Sequence, residues 1–192
     1  MERPGYRHSW DDYLLVESSS QTRHDYLEGC IYAVPRAGAL TAQLTVRVMV
    51  ALRAARELRG EEVHLFGPDL RVFVEATGYA TWPTLSAVVG EVNARPEPRG
   101  DIETLLNPTV VIEVLDDATG AWKREGKFRH YRSIASLREY VLVSHREPLI
   151  EVFTRPQSGD SWLRAEARSG AVPLRSLGVS LSVDEVYAGV EL

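Results

Sequence analysis

Cysteine is almost absent from this chain: Cys30 stands alone among 192 residues. No internal disulfide can form, and a reducing cytoplasm is the expected setting. No run of 18 or more apolar residues occurs, which removes transmembrane helices from consideration, and no membrane partner is expected. Nor is one sign of charge in large excess. With 22 Lys plus Arg against 27 Asp plus Glu the net charge is −5, so the molecule as a whole repels nucleic acid. Any such partner has to be held by a local patch. Lysine itself is scarce: 20 of the basic residues are Arg, and the two lysines, Lys123 and Lys127, stand four residues apart. Gly-x-Ser-x-Gly is missing, and His8, His24, His64, His130 and His145 show no metal-ligand spacing,. They are expected to be surface or hydrogen-bonded side chains.

What is present is ordinary globular material, 44% hydrophobic and 26% charged,. The length fits a single domain spanning residues 1–192, large enough to bury its own core. Residues 8–16 read as a short helix with Ser9 as N-cap and Asp12 near the third helical position. Residues 25–34, with Gly29 between two apolar stretches, read as a strand pair with a tight turn. Residues 41–58 place Leu44, Val48, Ala51, Leu52 and Ala55 at helical spacing, and Gly60 ends that helix,. Strand signals follow over residues 62–75, broken by Gly67 and Pro68, then over residues 85–89 and 110–115. Residues 93–104, with Pro96, Pro98 and Gly100, read as a surface loop. A basic helix is expected over residues 121–134, a hairpin from residues 140–144 and 150–154, and a last short helix capped by Ser182 with Glu185. The sum is an α/β fold, a central mixed sheet flanked by helices.

One residue stands out chemically. Glu113 lies inside Val110-Val111-Ile112-Glu113-Val114-Leu115, a run apolar on both faces. Such runs mark strands covered on both sides, where an ionised carboxylate is unfavourable unless a cation compensates it. Either Glu113 lines a cleft and meets a metal ion or a lysine, or it sits on a half-exposed face or pairs with an arginine. The lysine-bearing segment begins about eight residues downstream. Over residues 121–138, Lys123, Arg124, Lys127, Arg129, Arg132 and Arg138 face only Glu125. A solvated helix face explains such a cluster; so does chemistry that wants a compact ammonium with a tunable pKa. Gly120 to Lys127 is not a phosphate loop, because five residues separate its glycines and Phe128 replaces the required Ser or Thr,.

Several short motifs occur in a telling order: Asp25-Tyr26-Leu27-Glu28-Gly29, Asp69-Leu70-Arg71, Trp82-Pro83-Thr84, Asn107-Pro108-Thr109 leading into Glu113-Val114-Leu115, Lys127-Phe128 with Tyr131, and Ser136-Leu137-Arg138-Glu139-Tyr140. Together they resemble the Uma-two type restriction endonucleases, members of the PD-(D/E)XK nuclease superfamily. The resemblance runs from about Asp11 to Val190 and is most specific over residues 107–143. It implies a restriction-endonuclease-like fold with one active site on a sheet edge. In such nucleases an Asp after Pro and a Glu on the next core strand hold Mg²⁺ (or Mn²⁺), and a lysine assists the attacking water. By that pattern Glu113 is the metal carboxylate, Lys127 is the lysine moved onto the following helix, and position 84 should be the second metal-binding acid.

Position 84 is Thr84, a neutral hydroxyl. The family's His early in the second helix corresponds to Gln43, its helical Asn to Met49, and the acid between core strand and lysine to Lys123. Each change lowers the negative charge or the polarity of the site, so metal-dependent cleavage is expected to be weakened or absent. Three readings stay open. The chain is an endonuclease acting on DNA with Asp116, Asp117, Asp69 or Glu28 in place of the missing acid; or it is a nucleic-acid-binding module in which Lys123, Arg124, Lys127, Arg129 and Arg132 touch phosphates; or it is an interaction protein, a homodimer, whose basic helix is paired with its own acids.

Overall fold

The computed structural model describes residues 7–58, 63–98, 103–157 and 161–192. The helix stop expected at Gly60, the strand start at Glu62 and the loop glycine Gly100 lie outside the described residues. Helix α1 (Trp10–Ser19) starts where its cap predicts: the Asp12 N–H donates to Ser9 Oγ, and the Ser9 N–H donates back to Asp12 Oδ2,. Strands β1 (His24–Leu27) and β2 (Cys30–Ala33) form the expected hairpin. Both turn residues, Glu28 and Gly29, have positive φ (52° and 83°), as a two-residue I′ turn requires. The amphipathic helix is α2 (Ala39–Leu58), which buries Leu44, Val48 and Leu52.

The strands that follow are β3 (Val63–Phe66), β4 (Arg71–Val74), β5 (Tyr79–Thr81), β6 (Leu85–Val89), β7 (Ala94–Pro96), β8 (Glu103–Leu105) and β9 (Val110–Val114). After a π-helical segment (Trp122–Lys127) and α3 (Phe128–Tyr131) come β10 (Glu139–Val143), β11 (Ile150–Thr154), β12 (Leu163–Ala167), β13 (Ala171–Leu174), β14 (Val179–Ser182) and α4 (Val183–Tyr187). The α/β class holds, but the strands divide between two six-stranded sheets, β2-β1-β5-β4-β8-β7 and β12-β11-β10-β9-β6-β3, with β13-β14 as a separate pair. The break at Gly67 and Pro68 is what sends β3 and β4, neighbours in sequence, into different sheets. Residues 93–104 are a correction: they contribute β7 and β8 as well as a loop. Pro96 is tolerated because β7 is a sheet edge, where a missing N–H leaves no ladder bond unmade,. The basic helix is also corrected, since it winds as a π-helix over Trp122–Lys127 and α3 ends at Tyr131.

Packing stacks these elements in layers. One face of the second sheet, through Val110, Ile112, Val114, Val141 and Val143, packs on α2, α4 and β13-β14. Its other face, through Val111, Leu115, Tyr140 and Leu142, packs on Val72, Val74 and Tyr79 of the first sheet and on Tyr131 of α3. The outer side of the first sheet carries α1 through Tyr13, Leu14 and Ala80. Arg71 pins that layer. Fully buried, it donates to Thr104 Oγ1 at 2.6 Å, lies 3.3 Å from Glu97, and stacks over Trp10 and Tyr13 at just over 5 Å. Among the described residues no helix is long and apolar enough to cross a membrane.

Candidate active-site cleft

Strand alternation decides where Glu113 points. Val110, Ile112 and Val114 face α2, so Glu113 shares the opposite face with Val111 and Leu115 and looks toward the lysine-bearing segment,. Antiparallel pairing of β6 with β9 sets Leu85 against Ile112, which brings Thr84, one residue earlier, beside Glu113. The Thr84 hydroxyl donates to Glu113 Oε2 at 3.2 Å and accepts from the Val114 N–H at 3.1 Å. Lys127 Nζ donates to Glu113 Oε1 at 2.9 Å and to the Trp82 carbonyl at 3.2 Å. The Tyr131 hydroxyl approaches the same carboxylate oxygen at 3.5 Å. Glu113 is fully buried and Lys127 almost so. Burial alone would lower the Lys127 pKa; the Glu113 carboxylate, with help from Asp25, outweighs it and leaves it raised,.

Lys123 lies at the other oxygen. Its Nζ donates to the Val114 carbonyl at 2.8 Å and to Asp116 Oδ2 at 3.0 Å, and it stands 3.7 Å from Glu113 Oε2. The two lysines, four residues apart along the π-helical segment, thus close on one carboxylate from two sides. The half-exposed strand and the arginine partner weighed for Glu113 do not occur.

Asp116 is occupied by local structure. Its Oδ1 accepts from the Ala118 and Thr119 N–H groups, and its Oδ2 accepts from the Thr119 hydroxyl as well as from Lys123. Burial pushes its carboxyl up, but the Thr119 hydroxyl and the Lys123 ammonium outweigh that and hold it down, at about 2,. A folded value below the unfolded one means that its stabilising contribution is complete above the ordinary Asp range and is lost as pH falls from about 4 to about 2. Asp116→Asn is therefore expected to destabilise the chain near neutral pH. The difference from the parent should narrow steadily below about pH 4 when urea midpoints are compared.

These groups lie in a cavity of about 1120 Å³ lined by Asp25, Glu113 and Asp116 and by Arg23, Arg36, Lys123, Lys127 and Arg129, five basic side chains against three acids. Asp25 is the member that sequence reasoning missed. It is buried, accepts from the Tyr79 hydroxyl at 2.6 Å through Oδ2, and its Oδ1 has no partner among the described residues. Its signal was an acid inside a strand, the same signal that singled out Glu113, but the strand is too short to show it. Of the acids considered as replacements only Asp116 lines the cavity. Asp69 pairs with Arg23 in solvent, Asp117 pairs with His145 and Arg146, and Glu28 is exposed at the hairpin turn.

The basic residues also divide. Lys123 and Arg129 line the cavity; Arg132 does not. Arg124 turns away to form a two-pronged pair with buried Glu151, which Arg164 also meets. Met49 lines the cavity, but Gln43 lies at a separate shallow site beside Gly189 and Glu191, so Ala42 and Thr45 present the second helix to the cleft instead. His130 is corrected too. It is buried against Tyr79, with ring centroids 4.6 Å apart, and neither nitrogen has a hydrogen-bond partner among the described residues. Burial, then Arg129, lowers its pKa.

The donor set does not fit a divalent cation as folded. Among the described residues no three of His, Cys, Asp and Glu gather to hold a metal. Both Glu113 oxygens face ammonium groups, and Asp116 has no oxygen free of a donor. An ammonium fills the space between two acids where a hard cation would need them.

The fold is a nuclease-like α/β fold. A solved structure from Anabaena variabilis ATCC 29413, titled "putative nuclease belonging to DUF820", superposes with a TM-score of 0.69 over 90% of this chain and 93% of that one, at 18% identity. The family described as Uma2, "Putative restriction endonuclease", matches residues 10–185, and the chain belongs to that family. Two uncharacterised proteins of Synechocystis sp. (strain ATCC 27184 / PCC 6803 / Kazusa) are similar to it. One is 29% identical over 94% of this chain and 91% of its own length, the other 23% identical over 69% and 72%.

Proposed function

We propose that this chain is a nuclease-fold protein that grips nucleic-acid phosphates in its cleft, and that metal-dependent phosphodiester hydrolysis is lost or severely weakened in it. The observation that carries this reading is Lys123 Nζ set between Asp116 and Glu113. An ammonium supplies one positive charge and hydrogen-bond donors, but it cannot lower the pKa of a bound water as a metal ion does. Of its three N–H donors two are used by Val114 and Asp116, which leaves one for a phosphate oxygen. Arg129, exposed and lining the same cavity, supplies a second contact. DNA is the expected partner, and the grip is electrostatic.

Binding of labelled DNA is therefore expected to fall linearly on a log–log plot against salt. Lys123→Ala and Arg129→Ala should each reduce that slope by about 1. Plasmid incubated with the parent chain in Mg²⁺ or Mn²⁺ should stay supercoiled even at high protein excess. Salt-independent or undetectable DNA binding would remove the proposal. A second reading, an endonuclease of reduced activity, draws on the unpartnered Oδ1 of Asp25 in the same cleft. Nicking by the parent chain that disappears in Asp25→Asn would select it.

A further inference from the structure

Phosphate binding accounts for the basic lining of the cleft and leaves its aromatic and apolar lining unexplained. The same cavity is also lined by Trp122, Tyr32, Trp82, Val46 and Met49. Trp122 and Tyr32 are 40% and 53% exposed, an uncommon investment of aromatic surface in a soluble protein unless something covers it.

Trp122 is moreover held rigidly. It opens the π-helical segment, and its six-membered ring occupies the space a side chain at position 126 would take. A Cβ on Gly126 would lie 1.9 to 2.6 Å from three of its carbons. Tyr79 meets the indole edge-on at 6.3 Å, and His130 lies at the same centroid distance. The next residue in the chain is Lys123, and both side chains line the same cavity.

We infer that the cleft takes an unpaired strand of nucleic acid, one base stacked on Trp122 and the adjoining phosphate held by Lys123 and Arg129. This rests on the phosphate-binding reading above and adds its substrate class. The charge argument favours an anionic occupant: five basic side chains and three acids line the same cavity as the aromatic residues. The shape argument disfavours a duplex, whose base faces are covered by their neighbours and cannot stack on an indole. A splayed base offers its π-face, and every base has one, so stacking is tolerant of sequence.

The test measures fluorescence anisotropy of a labelled oligothymidylate and of the same strand paired with its complement, in low salt. The expected result is a preference of about tenfold or more for the single strand, within the range for one stacked base. Trp122→Ala should collapse that preference toward unity, and Trp122→Phe, which keeps a stacking face and guards against loss of folding, should retain most of it. Equal affinity for both forms, or a preference untouched by Trp122→Ala, overturns the stacking inference while the phosphate reading stands. Absence of salt-dependent binding to either form overturns both.

Discussion

The double variant Thr84→Asp/Lys123→Asp is expected to bind Mn²⁺ and Mg²⁺ where the parent chain does not. In the parent, Glu113 and Asp116 are balanced by Lys123 and Lys127 at 3.7 Å or less. The double exchange removes the ammonium between Glu113 and Asp116 and adds carboxylates at positions 84 and 123, so that five acids line the cavity and Lys127 is the one lysine left among them. Without metal, these clustered charges repel one another, so the variant should be less stable than the parent in chelator. With metal at about 100 times its dissociation constant, binding should return roughly 2.7 kcal/mol of stability. Calorimetric titration reads the affinity directly, and a plasmid assay reads any recovered cleavage. Glu113→Ala in the same background should abolish both. A double variant that binds metal no better than the parent would show that this cleft was wrongly assigned.

The second large effect concerns stability rather than binding. Glu113→Gln leaves the Lys127 ammonium, 4% exposed, without its main counter-charge. Breaking a buried pair by removing one partner typically costs about 3–5 kcal/mol, because the remaining charge has neither water nor a mate. A loss of that size should appear in urea unfolding at neutral pH. Glu113→Gln combined with Lys127→Met, similar in volume and free of charge, should regain most of it. If the single variant unfolds at the parent's midpoint, Glu113 and Lys127 do not form the buried pair described here.

Much of the site was legible because strand periodicity is rigid. An acid inside an apolar run on β9 has to face one covered side or the other, and a lysine pair downstream supplies the natural cation. Ser9 announced α1 in the same way, through a local hydrogen bond that needs no distant partner. Where the reading failed, the deciding contacts were distant in sequence. Three-residue strands β7 and β8 are held in place by their sheet, since nothing in so short a segment outweighs its turn-forming residues,. Asp25 gave the same kind of signal as Glu113, but its strand offers too few flanking apolar residues to reveal burial.

The order of motifs was enough to identify the family and to set Glu113 beside Lys127; it read Lys123 as the replacement of an acid and did not show it meeting Glu113. Tertiary packing alone assigned the neighbouring cations. Lys123 turned inward to Glu113 and Asp116, and Arg124 turned outward to Glu151. Direction around a helix depends on its residues per turn, and this segment winds as a π-helix rather than an α-helix,. That winding is settled by what the segment packs against, and no spacing in the chain records it.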